Sequence, residues 1–253
     1  MALHNKNIIV DNLLINYYFY QPKKSEKTIL FLHGWGVDSQ SWFKIVPRLE
    51  NRKYSLYFLD LPGFGNSQTP NSSYSLDDYM RVVLEFIKKL GLKEITLVGH
   101  SFGGRVAVKI ASVNSNQLDK IVLVDAAGIN NLSGLKKLAA IVAHLISPLF
   151  SPPFMQPLRR KLYFLMGSEY LDRAGLSKIF SRVVSENLTP LLPLIKNETL
   201  ILWGDKDNVT PLYYARLMKK LITRSKLTIF PNTGHFPFIE KPSEFAGELI
   251  KFI

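Results

Sequence analysis

Six short apolar runs recur along the chain and are separated by segments in which apolar residues follow a helical spacing. Apolar runs without polar alternation are typical of strands buried on both faces. Repeated strand–helix alternation indicates a mostly parallel sheet with helices on both of its faces. The runs are residues 28–34 (TILFLHG), 54–60 (YSLYFLD), 94–99 (EITLVG), 120–126 (KIVLVDA), 199–204 (TLILWG) and 226–230 (KLTIF).

The opening residues add a predicted hairpin to the sheet, and the segments between the apolar runs are predicted to be helices, so the expected fold class is α/β. NIIV and LLINYYFY, joined by the turn pair DN, indicate a hairpin, which raises the expected sheet to about eight strands. Ser75 and Asp78 form a capping-box pattern at the start of one helix, and Gly91 supplies its stop. Further helices are predicted at residues 39–50, 102–113 and 243–253. In such a fold, active residues are expected on loops beyond the carboxyl ends of the strands.

The alternation is interrupted once, between residues 129 and 194. This segment has helical patches and a proline-rich middle but no clear strand, and it is too long for an ordinary connection. We therefore predict a helical cap insertion at 129–194, with residues 1–128 and 195–253 forming the core.

The composition of the chain excludes several classes of protein. A chain of 253 residues that is 47% hydrophobic can bury one substantial core, and the absence of cysteine excludes disulfides and thiolate metal sites. The first residues lack the pattern of a secretory signal. The longest uncharged apolar stretch, residues 138–150, is shorter than the roughly 20 residues of a membrane-spanning helix. We expect a soluble cytoplasmic protein.

The segment GHSFGG at residues 99–104 lies between a predicted strand and a predicted helix. In G-x-S-x-G, small residues on either side of the serine let the backbone turn sharply from strand into helix and expose the hydroxyl. Gly99, Ser101 and Gly103 fit this pattern. The context makes Ser101 a candidate nucleophile.

A nucleophilic serine needs a base, and the base needs an orienting acid. Of the five histidines (His4, His33, His100, His144 and His235), His4 is expected in a frayed terminus, and only His235 follows the last predicted strand in a loop at the active edge. Asp207 and Asp205 follow the preceding strand, and Asp125 follows the strand before that. Asp207 is preferred, while Asp205 and Asp125 stay open as alternatives. We expect His33 and Asp60 to support loops by hydrogen bonding.

Five segments resemble, in order, the signature segments of the α/β-hydrolase superfamily: HGWG (33–36), DLPGFGNS (60–67), GHSFGG (99–104), GDKD (204–207) and GHFPFIEKP (234–242). The resemblance covers the core from end to end and implies the α/β-hydrolase fold. It also implies that Ser101 is the nucleophile, His235 the base and Asp207 the acid. By the same resemblance, the backbone N–H groups of Trp35 and Phe102 form the oxyanion hole. No metal or cofactor is needed for this chemistry.

Several branches of the superfamily look different from this chain. Haloalkane dehalogenases and epoxide hydrolases have aspartate at the elbow, and proline iminopeptidases have HGGPG where this chain has HGWG. His100 and GHFPF weaken the reading as a carbon–carbon bond hydrolase. A carboxylic-ester hydrolase remains, and HGWG with DLPGFGNS resembles the pimeloyl-carrier-protein methyl ester esterases. Cofactor-free haloperoxidase or perhydrolase activity, acyl transfer and a non-catalytic binding role stay open.

The net charge of +12 is concentrated partly in the predicted cap. Residues 129–196 hold nine basic side chains against three acidic ones. This excess supports the hypothesis that the cap guides an acidic carrier protein or an anionic lipid surface, although solvated lysines over a packed apolar face would have the same pattern. No basic stripe interleaved with aromatic residues is present, so nucleic acid is not expected as a partner.

Overall fold

The computed structural model of the chain describes residues 3–25, 27–49, 53–113, 115–129 and 176–253. Eight strands form one sheet, in the spatial order β1-β2-β4-β3-β5-β6-β7-β8. They are β1 (His4–Val10), β2 (Leu13–Tyr20), β3 (Lys27–Leu32), β4 (Tyr54–Leu59), β5 (Ile95–His100), β6 (Leu118–Val124), β7 (Glu198–Gly204) and β8 (Ser225–Phe230).

Only the first two strands depart from the parallel arrangement. β1 and β2 form the predicted antiparallel hairpin, whose turn residues Asp11 and Asn12 both have positive φ, and β2 pairs antiparallel to β4. From β4 to β8 all neighbours are parallel. The predicted sheet of about eight mostly parallel strands is therefore confirmed, and the carboxyl ends of β5, β7 and β8 meet at one edge.

In the described ranges, five longer helices accompany the sheet: α1 (Leu76–Leu90), α2 (Phe102–Val113), α3 (Leu176–Ser185), α4 (Leu212–Leu221) and α5 (Pro242–Phe252). α1 begins with the predicted capping box, in which Ser75 and Asp78 bond reciprocally, and it ends at Gly91 in the left-handed conformation. Shorter helical turns lie at Ser39–Ile45, Val46–Leu49, Ser115–Gln117, Thr189–Leu194 and Pro237–Glu240.

The sheet separates two apolar cores. One lies under α1 and α2 and includes Leu30, Phe86 and Val106, all fully buried. The other lies on the opposite face, where the rings of Trp42 and Phe238 stack at a centroid distance of 4.0 Å. A sheet covered on both faces follows from strands that are apolar on both sides.

Two local predictions were wrong. Residues 39–50 do not form one helix, because a 3₁₀ segment (Ser39–Ile45) precedes a single α-helical turn (Val46–Leu49). Pro47 is consistent with the change, since it has no N–H to donate to the carbonyl of Phe43, and that carbonyl instead accepts the N–H of Val46 in a 3₁₀ bond. His4, expected in a frayed terminus, belongs to β1 and faces Phe19 across the hairpin at a ring distance of 5.4 Å.

Of the predicted cap, the structure describes residues 176–194, which comprise α3 and the 3₁₀ turn Thr189–Leu194. The backbone N–H of Leu188 donates to the carbonyl of Gly128 at 2.8 Å, so these two residues lie side by side although they are distant in sequence. The stretch 138–150, His144 and most of the basic residues counted above lie outside the described residues. Those are Lys136, Lys137, Arg159, Arg160, Lys161 and Arg173.

Within the described ranges, no helix has both the length and the apolar character required to cross a bilayer.

Candidate active site

Ser101 lies at a strained turn between β5 and α2. Its φ of +50° is in the left-handed region, which residues other than glycine seldom adopt. A Cβ atom at Gly99 would lie 2.5 Å from the carbonyl oxygen of Gly103, and one at Gly103 would lie 2.4 Å from that of Leu32. The two glycines therefore let α2 start directly against the strands, which holds Ser101 on a sharp strand-to-helix elbow.

The two residues predicted to supply oxyanion donors lie next to this elbow. Phe102 is the first residue of α2, where N–H groups have no intrahelical acceptor and the helix dipole is positive. The rings of Trp35 and Phe102 meet edge to face with centroids 5.1 Å apart. The N–H of Gly103 donates to the carbonyl of His33 at 3.1 Å, which ties the Trp35 loop to the start of the helix.

His33 and Asp60 brace this loop. The buried His33 donates from Nδ1 to the carbonyl of Gly34 (2.7 Å) and accepts the N–H of Leu61 at Nε2 (3.0 Å). Burial lowers the pKa of His33, which keeps the ring neutral. The Asp60 carboxylate accepts three hydrogen bonds, from the N–H groups of Ser39 and Asn66 and the side-chain amide of Asn16. Both residues have the loop-supporting contacts expected of them.

Asp207 and His235 are joined by a hydrogen bond. His235 Nδ1 lies 2.7 Å from Asp207 Oδ2, and Asp207 Oδ1 accepts the N–H groups of Val209 and Thr210. Burial is the largest influence on the pKa of Asp207 and would raise it. The hydrogen bond and the charge of His235, together with the hydrogen bonds from Thr210, lower the pKa of Asp207 by more than burial raises it and hold it at about 2. An ionised Asp207 favours the His235 tautomer with its proton on Nδ1, which leaves Nε2 as a proton acceptor.

His100 links the elbow to the loop that carries His235. Its buried ring lies 4.7 Å from the His235 ring, and its Nε2 donates to the backbone carbonyl of His235 at 2.8 Å. Burial, and then the proximity of His235, lower the pKa of His100 well below its ordinary value. The imidazole beside Ser101 is therefore a neutral anchor, and it holds the His235 loop against the elbow.

The structure distinguishes the alternative acids. Asp205 points away from His235, since its Oδ1 accepts the backbone N–H of Thr233 at 3.1 Å. Asp125 is fully buried, and its carboxyl lies close to Asp207 and His235, with one ligand-type atom of each residue within 4.8 Å of the others. Asp207 is therefore the carboxylate that bonds His235, and the carboxyl group of Asp125 lies close to both residues.

Ser101 is linked to the His235 loop through its neighbour His100. Within the described part of the chain, its hydroxyl is not hydrogen-bonded to His235, although its neighbour His100 bonds the His235 backbone. Catalytic hydrogen bonds are often long without substrate and shorten in the substrate complex.

Sequence reasoning missed Thr210. Its hydroxyl lies 2.5 Å from Asp207 Oδ2, 3.0 Å from the carbonyl of Asp125 and 3.4 Å from His235 Nδ1. The signal was present as Asp-x-x-Thr, because aspartate commonly accepts the N–H groups two and three residues further on.

Arg105 was missed as well. This arginine is buried on α2, where its guanidinium donates to the carbonyls of Val183 and Glu186 at the end of α3. Its neighbour Lys109 bonds the Glu186 carboxylate. An arginine among the small and apolar residues at the start of this helix was the available sign. Arg105 fastens α3 to the helix that follows Ser101.

A metal-binding interpretation of Asp125, Asp207 and His235 fits the geometry less well than a hydrogen-bonded relay. Both oxygens of Asp207 and the Nδ1 of His235 already take part in hydrogen bonds within the cluster. We therefore interpret the three residues as a proton-handling group.

Comparison with known proteins bears on the fold and the class of the chain. The model of the family described as "Alpha/beta hydrolase family" matches residues 29–248. The chain is 28% identical to Lipase 3 of Moraxella sp., over 88% of this chain and 76% of that protein. It is 25% identical to Putative esterase/lipase 2 of Mycoplasma genitalium, over 100% of this chain and 97% of that protein. A crystal structure of a membrane phospholipase A superimposes with a TM-score of 0.78 at 29% identity, covering 99% of this chain and 85% of that one.

Proposed function

Because the chain belongs to the alpha/beta hydrolase family, we propose that it is a serine hydrolase that cleaves carboxylic esters through an acyl-enzyme intermediate. Ser101 is the nucleophile, His235 the general base and Asp207 the acid that orients it. The hydrogen bond from His235 Nδ1 to the ionised Asp207, beside a serine on a strained elbow, is the observation that carries the proposal.

In the first half of the reaction, Ser101 Oγ attacks the ester carbonyl carbon while His235 Nε2 takes the hydroxyl proton. The positive charge that forms on the imidazole is stabilised by Asp207, whose low pKa keeps it ionised. The protonated His235 then delivers that proton to the alcohol oxygen as the carbon–oxygen bond breaks. The products of this half are a free alcohol and an ester on Ser101.

In the second half, water attacks the acyl-enzyme and His235 again serves first as base and then as acid. The backbone N–H groups of Phe102 and Trp35 stabilise the oxyanion in both halves. Removing one such donor typically costs about 3–4 kcal/mol in the transition state.

Two features support an ester as the substrate. The relatives named above are described as a lipase, an esterase/lipase and a phospholipase A, all of which are names of ester hydrolases. The aromatic side chains beside the elbow favour an apolar acyl group, because the ring of Trp35 contacts those of Phe64, Phe102 and Phe180 at centroid distances of about 5 Å.

The test measures labelling by a fluorophosphonate probe and turnover of p-nitrophenyl esters from acetate to decanoate. We expect Ser101→Ala to abolish labelling and to lower turnover by at least about 10⁴-fold. Ser112→Ala, on the same helix, is the control and should leave both unchanged. Labelling that persists in Ser101→Ala would refute the assignment, and labelling without turnover of any ester would refute the ester substrate.

A second pair of variants tests the acid. Asp207→Asn should lower kcat by about 10⁴-fold because it favours the wrong tautomer of His235. Asp205→Asn, two residues away on the same loop, should retain the activity because Asp205 bonds Thr233 instead. Equal losses in the two variants would contradict the assignment of Asp207.

A further inference from the structure

Asp125 brings a second carboxyl group into the proposed relay, where a single acid would suffice. It follows β6 with φ at +42° and is 0% exposed. Its N–H donates to the carbonyl of Leu202, and its own carbonyl oxygen lies 3.0 Å from the Thr210 hydroxyl oxygen. The backbone on both sides is thus pinned, and the side chain is directed toward the strand ends at β7.

The two oxygens of this carboxyl have different surroundings. Oδ1 accepts the N–H of Gly204 at 3.0 Å, whereas Oδ2 is buried and has no hydrogen-bond donor among the residues that the structure describes. Leaving an ionised oxygen buried and unbonded is strongly unfavourable. The oxygen would be satisfied if it carried a proton and donated it to an acceptor.

The acceptor available to such a proton is the Asp207 carboxylate. One ligand-type atom of Asp125, of Asp207 and of His235 lie within 4.8 Å of one another. Asp207 is ionised and accepts the hydrogen bond from His235, so its two oxygens hold negative charge next to Asp125.

We propose that Asp125 is a neutral carboxylic acid whose Oδ2–H donates to the Asp207 carboxylate, so that the two carboxyl groups share one negative charge. The proton stays on Asp125 throughout the reaction, and no bond to it is broken. Asp125 is therefore a positioning residue, which acts on His235 through Asp207.

The surroundings of Asp125 favour the protonated carboxyl group. Burial is the largest influence and raises the pKa of Asp125 well above its ordinary value, and the negative charges of Asp207 and Glu240 raise it further. The hydrogen bond from the Gly204 N–H lowers the pKa of Asp125, but by less than burial and the negative charges raise it. His235, on the loop after β8, is the titratable base that faces the pair. Two carboxyl groups this close commonly hold a single proton between them.

The consequence for catalysis rests on the proposed function. A donor on Asp207 withdraws part of its negative charge, so the carboxylate stabilises the imidazolium of His235 less strongly than a lone carboxylate would. The shared proton thus sets the pH at which His235 becomes available as a base.

The state of Asp125 is tested directly by carboxyl ¹³C NMR on the full chain with Asp Cγ labelled. At neutral pH we expect one aspartate signal at the position of a protonated carboxyl, and we expect it to be missing in Asp125→Asn. The matched control Asp205→Asn should keep the signal. The proposal is overturned if no such signal exists at neutral pH or if it survives in Asp125→Asn.

The positioning role is tested by the pH profile of kcat/KM for a p-nitrophenyl ester. Asp125→Val removes the donor to Asp207 at similar volume, so Asp207 should stabilise the imidazolium of His235 more strongly. The acidic limb of the Asp125→Val profile should therefore lie at higher pH than that of the unchanged protein. Asp125→Asn should keep the limb at its original pH, because the asparagine amide can donate to Asp207. A limb that does not move in Asp125→Val refutes the role. The NMR result does not depend on ester turnover, so a failure of the proposed function would be recognised separately from a failure of the shared proton.

Discussion

Replacing Gly103 with alanine would place a methyl group 2.4 Å from the carbonyl oxygen of Leu32, 2.7 Å from its carbonyl carbon and 2.8 Å from the carbonyl oxygen of His33. Ordinary van der Waals contact begins at 3.4 Å, so the nearest contact is 1.0 Å too short. The obstructing atoms are all backbone atoms of β3 and the loop that follows it. They cannot rotate away, and therefore α2 has to shift relative to the strand.

Such overpacking typically costs about 1–3 kcal/mol of unfolding free energy. For a chain of this size, that corresponds to a fall in Tm of about 2–12 °C. The same shift moves Ser101 relative to His235, and a misplacement of about 1 Å can lower the rate about 100-fold. We therefore expect Gly103→Ala to lower both the Tm and the rate of fluorophosphonate labelling.

Gly247→Ala is the matched control for this prediction. Gly247 lies inside α5, and a Cβ there would have nothing within 4 Å. Alanine gains helix propensity at both positions, so Gly247→Ala should be more stable by about 0.5–1 kcal/mol and should label at the normal rate. Differential scanning calorimetry and labelling kinetics are measured on both variants. A Gly103→Ala protein that matches Gly247→Ala in both measurements would refute the close-packing argument.

Three other expectations concern pH, the buried arginine and salt. The Asp207 pKa of about 2 lies below the ordinary 3.8, so ionised Asp207 adds about 2 kcal/mol to the free energy of unfolding. This contribution is complete above pH 3.8 and is lost as the pH falls toward 2. Denaturant unfolding from pH 5 to pH 2 should show the stability gap between wild type and Asp207→Asn shrinking, and a constant gap would contradict the hydrogen-bonding account. Arg105→Met leaves the carbonyls of Val183 and Glu186 without their donor and should cost about 2–3 kcal/mol in thermal melts, whereas Arg216→Met on the exposed face of α4 should stay within about 0.5 kcal/mol. If the excess positive charge guides an anionic partner, turnover of an anionic ester should fall as salt is raised, and a rate indifferent to ionic strength would defeat that hypothesis.

The sheet and the proximity of Asp207 to His235 could be predicted because their signals are local. Each apolar run reports a strand by itself, and the residues that follow those runs are the ones that meet at the sheet edge. Asp207 and His235 were recognisable in this way, and the structure joins them at 2.7 Å.

The supporting contacts could not be predicted because they join residues distant in sequence. The His100 ring bonds a carbonyl 135 residues further on, and Arg105 bonds carbonyls 78 and 81 residues further on. The 3₁₀ segment before Pro47 has a helical pattern in sequence, and this pattern does not distinguish a 3₁₀ helix from an α-helix.

The hydrogen bond between Leu188 N–H and Gly128 C=O also has an evolutionary meaning. β6 ends at Val124 and β7 begins at Glu198, so both residues of this bond lie outside the paired strands. A change in the number of residues between Gly128 and Leu188 therefore does not have to alter the register of β6 against β7. Descendants of this chain can accordingly differ in length at this point while they keep the sheet that brings Asp207 to His235.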